Sequence, residues 1–184
     1  MSQAIRQDII NIAEEQIDEI RQKIDYHTTE YTIEFIVDKY LKQDDAGLSE
    51  IYIPEFHRNL RWDINHQSRF IESIILAVPI AAIIVAEIKE TGKVAIVDGA
   101  QRVMTLAAFL TNQLQLSNLK TLDSLNGSYF KDLAPSRQRK FKYTSLRTIF
   151  LSDKADERVI NEVFYRINSW EHIEFCADNF FKWI

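Results

Sequence analysis

The sequence predicts an α+β fold, a small sheet with flanking helices and an additional helix in front of it. Three observations carry this expectation. Long stretches repeat apolar residues every three or four positions, short β-branched runs lie between them, and two of those runs are joined by a tight turn.

Residues 3 to 24 read as the first helix, with Ile10, Ala13, Ile17, Ile20 and Ile24 in a narrow apolar seam and acids on the other faces. The seam suits packing on the domain or pairing with another chain, so a homo-oligomer stays open. His27-Thr28-Thr29 is expected to break this helix. Thr32 caps a second helix that turns Ile33, Ile36, Val37, Tyr40 and Leu41 inward. A short extended piece, Ile51-Tyr52-Ile53, stops at Pro54, and residues 55 to 63 follow without a period. Such irregular segments often carry function, although a loop pinned by Phe56 and Trp62 accounts for the same residues.

A third helix runs from about Ile64 to Ala77, with Phe70, Ile71, Ile74, Ile75 and Val78 as its core stripe and Pro79 just past its end. Ile80 to Ile88 and Lys93 to Val97 form a hairpin about Lys89-Glu90-Thr91-Gly92. The next helix continues to about Leu114. The pattern weakens from Gln115 to Ser128, Ser136 caps a short basic helix, and Ser145 to Leu151 gives another strand. A last amphipathic helix spans Glu157 to Ile167. The closing Phe175, Phe180, Phe181, Trp183 and Ile184 call for burial against the domain, a partner or a longer chain. The domain organisation expected is an N-terminal helix over 1–29, a domain over 30–170 and an apolar helix over 171–184.

Composition excludes several classes. With 46% hydrophobic and 27% charged residues the chain is neither disordered nor fibrous. One cysteine, Cys176, excludes an internal disulfide framework, and a buried thiol is the more frequent case than a nucleophile assisted by His172. His27, His57, His66 and His172 show no paired ligand spacing, so no metal site is expected. No run approaches the roughly 18 apolar residues of a membrane span, and a cytoplasmic location without membrane contact is expected. Residues 51 to 150 hold 13 basic against 8 acidic side chains, within a chain of net charge −5. Arg61 and Arg69, with Arg137, Arg139 and Lys140 further on, are therefore candidate contacts to DNA phosphates. A solvated helix face reads similarly.

The stretch Asp98-Gly99-Ala100-Gln101-Arg102 sits where the hairpin's second strand meets a helix. Asp98 is placed as an N-cap, with Gln101 returning a hydrogen bond as in a capping box. Such a helix start also favours anions, and Arg102 adds a fork-shaped cation suited to phosphate oxygens. Both an ordinary cap and a nucleotide phosphate site fit these residues.

Three motifs in order resemble one family, the ParB-like N-terminal domain of GmrSD-type modification-dependent restriction proteins. They are Ile53-Pro54-Glu55-Phe56-His57-Arg58-Asn59-Leu60-Arg61-Trp62, Asp98-Gly99-Ala100-Gln101-Arg102 and Phe164-Tyr165-Arg166-Ile167-Asn168. The resemblance implies a mixed core of the ParB and sulfiredoxin type that binds nucleoside triphosphates, with magnesium implied only by phosphate chemistry. Asp98, Gly99, Gln101 and Arg102 would form the nucleotide site, with Arg58, Arg166 and Asn168 nearby. Catalytic roles fall to Asp98, Gln101 and Arg102. The implied setting is defence against phage with modified DNA, alongside a nuclease partner or domain. Ala100 and His57 stand where the family motifs have glutamines, so binding is the firmer expectation and NTP hydrolysis the weaker. No nuclease motif follows, and cleavage by this chain alone is not expected. The reading from another class is a non-enzymatic DNA-recognition or protein-interaction module using the Arg58 to Arg69 and Arg137 to Arg147 surfaces.

Overall fold

A computed structural model describes residues 3–22, 25–45, 47–54 and 62–152, together with Arg166. The predicted Glu157 to Ile167 helix, except Arg166, and the closing apolar segment lie outside these residues. In chain order the elements are α1 (Gln3–Gln22), β1 (Tyr26–Thr32), α2 (Ile33–Leu41), β2 (Ile51–Tyr52), α3 (Ile64–Ile75), β3 (Ile83–Ile88), β4 (Lys93–Asp98), α4 (Ala100–Leu110), α5 (Pro135–Lys142) and β5 (Ser145–Leu151). The five strands form one mixed sheet in the order β1-β5-β3-β4-β2, and the α+β class expected from the sequence is what the chain adopts.

Pairing is antiparallel for β1 with β5 and for β3 with β4, and parallel for β3 with β5 and for β2 with β4. The β3–β4 hairpin closes through the Gly92 amide donating to the Ile88 carbonyl (2.8 Å). Gly92 sits at a φ of 63°, a left-handed value glycine adopts without strain. Ile51, Ile83, Val85, Ile96 and Leu146 turn one face of the sheet toward Ile33, Ile36 and Val37 of α2, Ile71 and Ile74 of α3, and Val103, Leu106 and Phe109 of α4. Ala86, Ala95 and Leu151, on the alternate positions, are buried as well, so the central strands are covered on both faces. Phe109 of α4 meets Phe130 and Phe141 edge to face, and those two rings are tilted to one another, with centroids 5.3 to 5.9 Å apart.

Local chemistry sets the helix ends. Thr32 caps α2 as expected, its Oγ1 accepting from the Phe35 amide (3.2 Å). Asp63 does the same for α3 through the His66 amide (2.8 Å). That amide bond and then the His66 side chain hold the Asp63 carboxyl below its ordinary value.

Several expectations need correction. α1 ends at Gln22, ahead of His27-Thr28-Thr29, but that segment is a strand, part of β1, pairing residue for residue with β5. The short basic helix is capped at Ala134 with Pro135 in its first position, not at Ser136, because proline's fixed φ suits a helix start. α4 ends at Leu110, and Leu114 is buried from an irregular segment. Val78 and Leu41 are exposed rather than core residues. The first hairpin strand begins at Ile83, not Ile80, because the Ala81 and Ala82 carbonyls are bonded by a side chain of α4.

Candidate functional site

The irregular stretch from Asn112 to Tyr129 stays close to α3 through two side chains that sequence reading did not single out. Glu72 is buried, and its Oε1 accepts from the amides of Thr121 (3.1 Å) and Leu122 (2.7 Å). Ser68, buried one turn earlier, accepts from the Ser117 amide (3.0 Å). These bonds tie the stretch after α4 to α3.

At that start the sheet itself is irregular. Val85 pairs with Ile96 but Ile84 pairs with Asp98, so Val97 is an extra residue in β4. A bulge of this kind bends its strand and re-aims the next side chain, here Asp98. Gly99 follows at φ 95° and ψ 12°, and α4 begins at Ala100. A Cβ at Gly99 would lie 3.3 Å from Ile83 Cγ1 in addition to the strained φ, so the turn requires glycine.

The capping box expected of Asp98 and Gln101 is not formed. Gly99 is the N-cap, and no side chain caps it. Asp98 instead ends β4, and its Oδ2 accepts from Arg102 Nη2 (2.6 Å). Arg102 Nη1 donates to the carbonyls of Ala81 and Ala82 (2.7 Å each). The charge of Arg102 is thus matched by Asp98, and its fork ties the approach to β3, the end of β4 and the first turn of α4 together. Their spacing of four residues is what the helical i,i+4 rule allows, but the bond reaches back across the glycine.

Gln101 faces another way. Its Oε1 accepts from the Trp62 amide (2.9 Å), while Gln67 Nε2 donates to the Trp62 carbonyl (2.9 Å). Trp62 is clamped between α3 and α4, with its ring edge-on to Phe70 at 5.5 Å. The Trp62 N–H can only donate, so it fixes the orientation of the Gln101 amide. Among the described residues Gln101 Nε2 is then left buried without a hydrogen-bond partner. Ala100, beside it, is 5% exposed and part of the hydrophobic core.

Asp98, Gly99, Gln101 and Arg102 therefore converge with Trp62, Ala81 and Ala82. Arg69 on α3 and Arg137, Arg139 and Lys140 on α5 are exposed, and the hydrogen bonds around Gly99 do not involve them. Arg166 is exposed and helical. Arg58, Arg61 and Asn168 lie outside the described residues. The cleft of about 350 Å³ beside Lys39 and Lys42 belongs to the opposite end of β4, where Lys93 pairs with Asp44 (2.7 Å) and Lys39 with Glu50.

An uncapped helix start and a spare amide donor fit an anion's oxygens. The donor set for a divalent ion fits less well, since Asp98 is engaged by Arg102. Among the described residues no group of three or more His, Cys, Asp or Glu side chains could hold a metal. No step is assigned to such an ion. Among the described residues, too, no helix is long and apolar enough to cross a membrane.

Compared with known proteins, residues 33–171 match the family model described as GmrSD restriction endonuclease, N-terminal domain. Comparisons with curated proteins and with solved structures gave no match.

Proposed function

The chain belongs to the family of GmrSD restriction endonuclease N-terminal domains, and from that membership we propose that it is the nucleotide-binding regulatory domain of an anti-phage, modification-dependent restriction system. The observation that carries the nucleotide reading is the buried Nε2 of Gln101, without a hydrogen-bond partner among the described residues, beside the uncapped start of α4. Unpaired buried donors are uncommon, and a phosphate oxygen supplies the acceptor this one lacks.

In this reading the amides of Ala100, Gln101 and Arg102 and the Gln101 side chain hold the phosphates. Asp98 and Arg102 act first as positioning groups, locking Gly99 in the turn that begins α4. Arg58, Arg166 and Asn168 are the further phosphate ligands, carried over from the family motifs. Arg102 keeps its Nε for a phosphate, while its two terminal nitrogens already bond to the protein. For hydrolysis a group must orient water, and Ala100 offers none, which leaves Gln101 or Asp98 for that role. Binding without rapid turnover follows. A nuclease partner or domain then acts on modified DNA under control of the bound nucleotide.

The test is calorimetry and phosphate release with a panel of nucleoside triphosphates, with and without magnesium, on the wild type, Gln101→Leu, Arg102→Ala and Ala100→Gln. Wild-type binding, weakened at least about tenfold in the first two variants, is expected, a loss of about 1.4 kcal/mol. Absence of wild-type binding overturns the proposal. Turnover gained in Ala100→Gln identifies residue 100 as the missing water-orienting position.

A second reading rests on α5, which exposes Arg137, Arg139 and Lys140 and carries no acid. A module that contacts DNA phosphates there loses affinity steeply with salt. Binding that Arg137→Ala weakens and Gln101→Leu leaves intact favours it.

A further inference from the structure

The first turn of α3 is complete without the side chain of Gln67. Asp63 caps it, accepting from the His66 amide on Oδ1 (2.8 Å) and from the Gln67 amide on its carbonyl (3.0 Å). The half-buried Gln67 side chain is not needed there, and it reaches back past the cap. Its Nε2 donates to the carbonyl of Trp62 (2.9 Å), the residue just before Asp63. A residue at this place in a helix commonly packs on the one before the cap as a hydrophobic staple, which fixes the entry angle of the chain. Here a hydrogen bond takes the place of the staple, and the Trp62 ring is held separately, edge-on to Phe70 at 5.5 Å.

The N–H of the same Trp62 donates to Gln101 Oε1 on α4 (2.9 Å). The Gln101 amide is planar, so with Oε1 engaged its Nε2 has one side on which to donate. Turned over, the amide would offer a phosphate an acceptor where a donor is needed. The orientation of the Gln101 amide is thus decided by Trp62, and the stance of Trp62 by Gln67.

We propose that Gln67 is a positioning residue for the phosphate site, setting its affinity through Trp62 and the Gln101 amide. The assignment rests on the nucleotide reading of Gln101 given above, whereas the clamp on Trp62 is a property of the free protein. Without the Gln67 donor, Trp62 gains freedom and the Gln101 amide spreads over several orientations. Only the competent fraction binds, and the apparent affinity falls by that fraction.

Gln67→Met tests this, since methionine is neutral, of similar length and a good helix former but cannot donate. In the free full chain, hydrogen exchange at the Trp62 amide should quicken about fivefold. Calorimetry with ATP, GTP, CTP and UTP is then run on the wild type, Gln67→Met, Gln101→Leu and the double variant. For the tightest of the four nucleotides, Gln67→Met should weaken binding about fivefold. The same change made on Gln101→Leu should cost nothing more, because no amide is left to position. A merely structural Gln67 would weaken both backgrounds alike. Wild-type binding with an equal loss in both backgrounds, or with no loss in either, overturns the inference and leaves the nucleotide reading standing. Unchanged exchange at Trp62 overturns the clamp whatever the ligand. Absence of wild-type binding overturns the nucleotide reading and this assignment with it.

Discussion

Arg102→Ala separates the positioning role of this side chain from a purely surface role. The Arg102 side chain is 14% exposed and that of Asp98 26%. Breaking a fully buried ion pair costs about 3–5 kcal/mol and an exposed one less than about 1. This pair lies between those limits. The carbonyl of Ala81, an exposed residue, regains water when the guanidinium goes, so the loss falls mainly on Asp98 and the Ala82 carbonyl. A destabilisation of about 2–3 kcal/mol follows. At this chain length it lowers the melting temperature by about 4–12 °C, at 2–4 °C per kcal/mol. Urea unfolding of wild type, Arg102→Ala, Asp98→Ala and the double variant gives the coupling directly. The expected interaction is about 1.5 kcal/mol, with the double variant little worse than either single one. Additive effects, or an Arg102→Ala protein within about 0.5 kcal/mol of wild type, would refute the clasp.

Gly99→Ala strains a residue at φ 95° and crowds Ile83, and a loss of about 1–3 kcal/mol in chemical denaturation is expected. Glu72→Ala leaves the Thr121 and Leu122 amides unpaired, costing about 2 kcal/mol and raising hydrogen exchange first in residues 117 to 126. Asp63 has a folded pKa below its unfolded one, so its cap stabilises α3 above the unfolded pKa and is lost as pH falls through the folded one. Exchange of the His66 amide should accelerate in that acid range and stay level near neutrality, and Asp63→Asn should remove the pH dependence.

The legible parts of this fold are those decided by near neighbours. Thr32 reads as a cap because the amide it accepts from is three residues away, and the β3–β4 hairpin reads because Gly92 marks its turn. β1 was hidden for two physical reasons. It is an edge strand whose only partly buried residues are Thr29, Tyr31 and Thr32 rather than aliphatic ones, and its partner β5 lies more than a hundred residues later. Glu72 was missed likewise, since its acceptors' partners sit some 50 residues along the chain. At the candidate site the helix start was legible and its wiring was not. Asp98 reads as a cap by spacing, yet the bulge at Val97 re-aims it and the Ala81 and Ala82 carbonyls before β3 hold Arg102 in its reach instead. The i,i+4 spacing of those two residues was the signal that pointed to the true pairing. Trp62 was visible as an anchor, whereas Gln67 and Gln101 as its two clamps depend on the packing of α3 against α4.

The central claim, that the start of α4 holds a phosphate, is tested most directly by following backbone amide resonances during titration with a nucleoside triphosphate. Saturable shifts at Ala100, Gln101 and Arg102 are expected, with the Gln101 side-chain amide moving in step. Saturation without movement of these signals, or with movement confined to Arg137, Arg139 and Lys140 on α5, would contradict it.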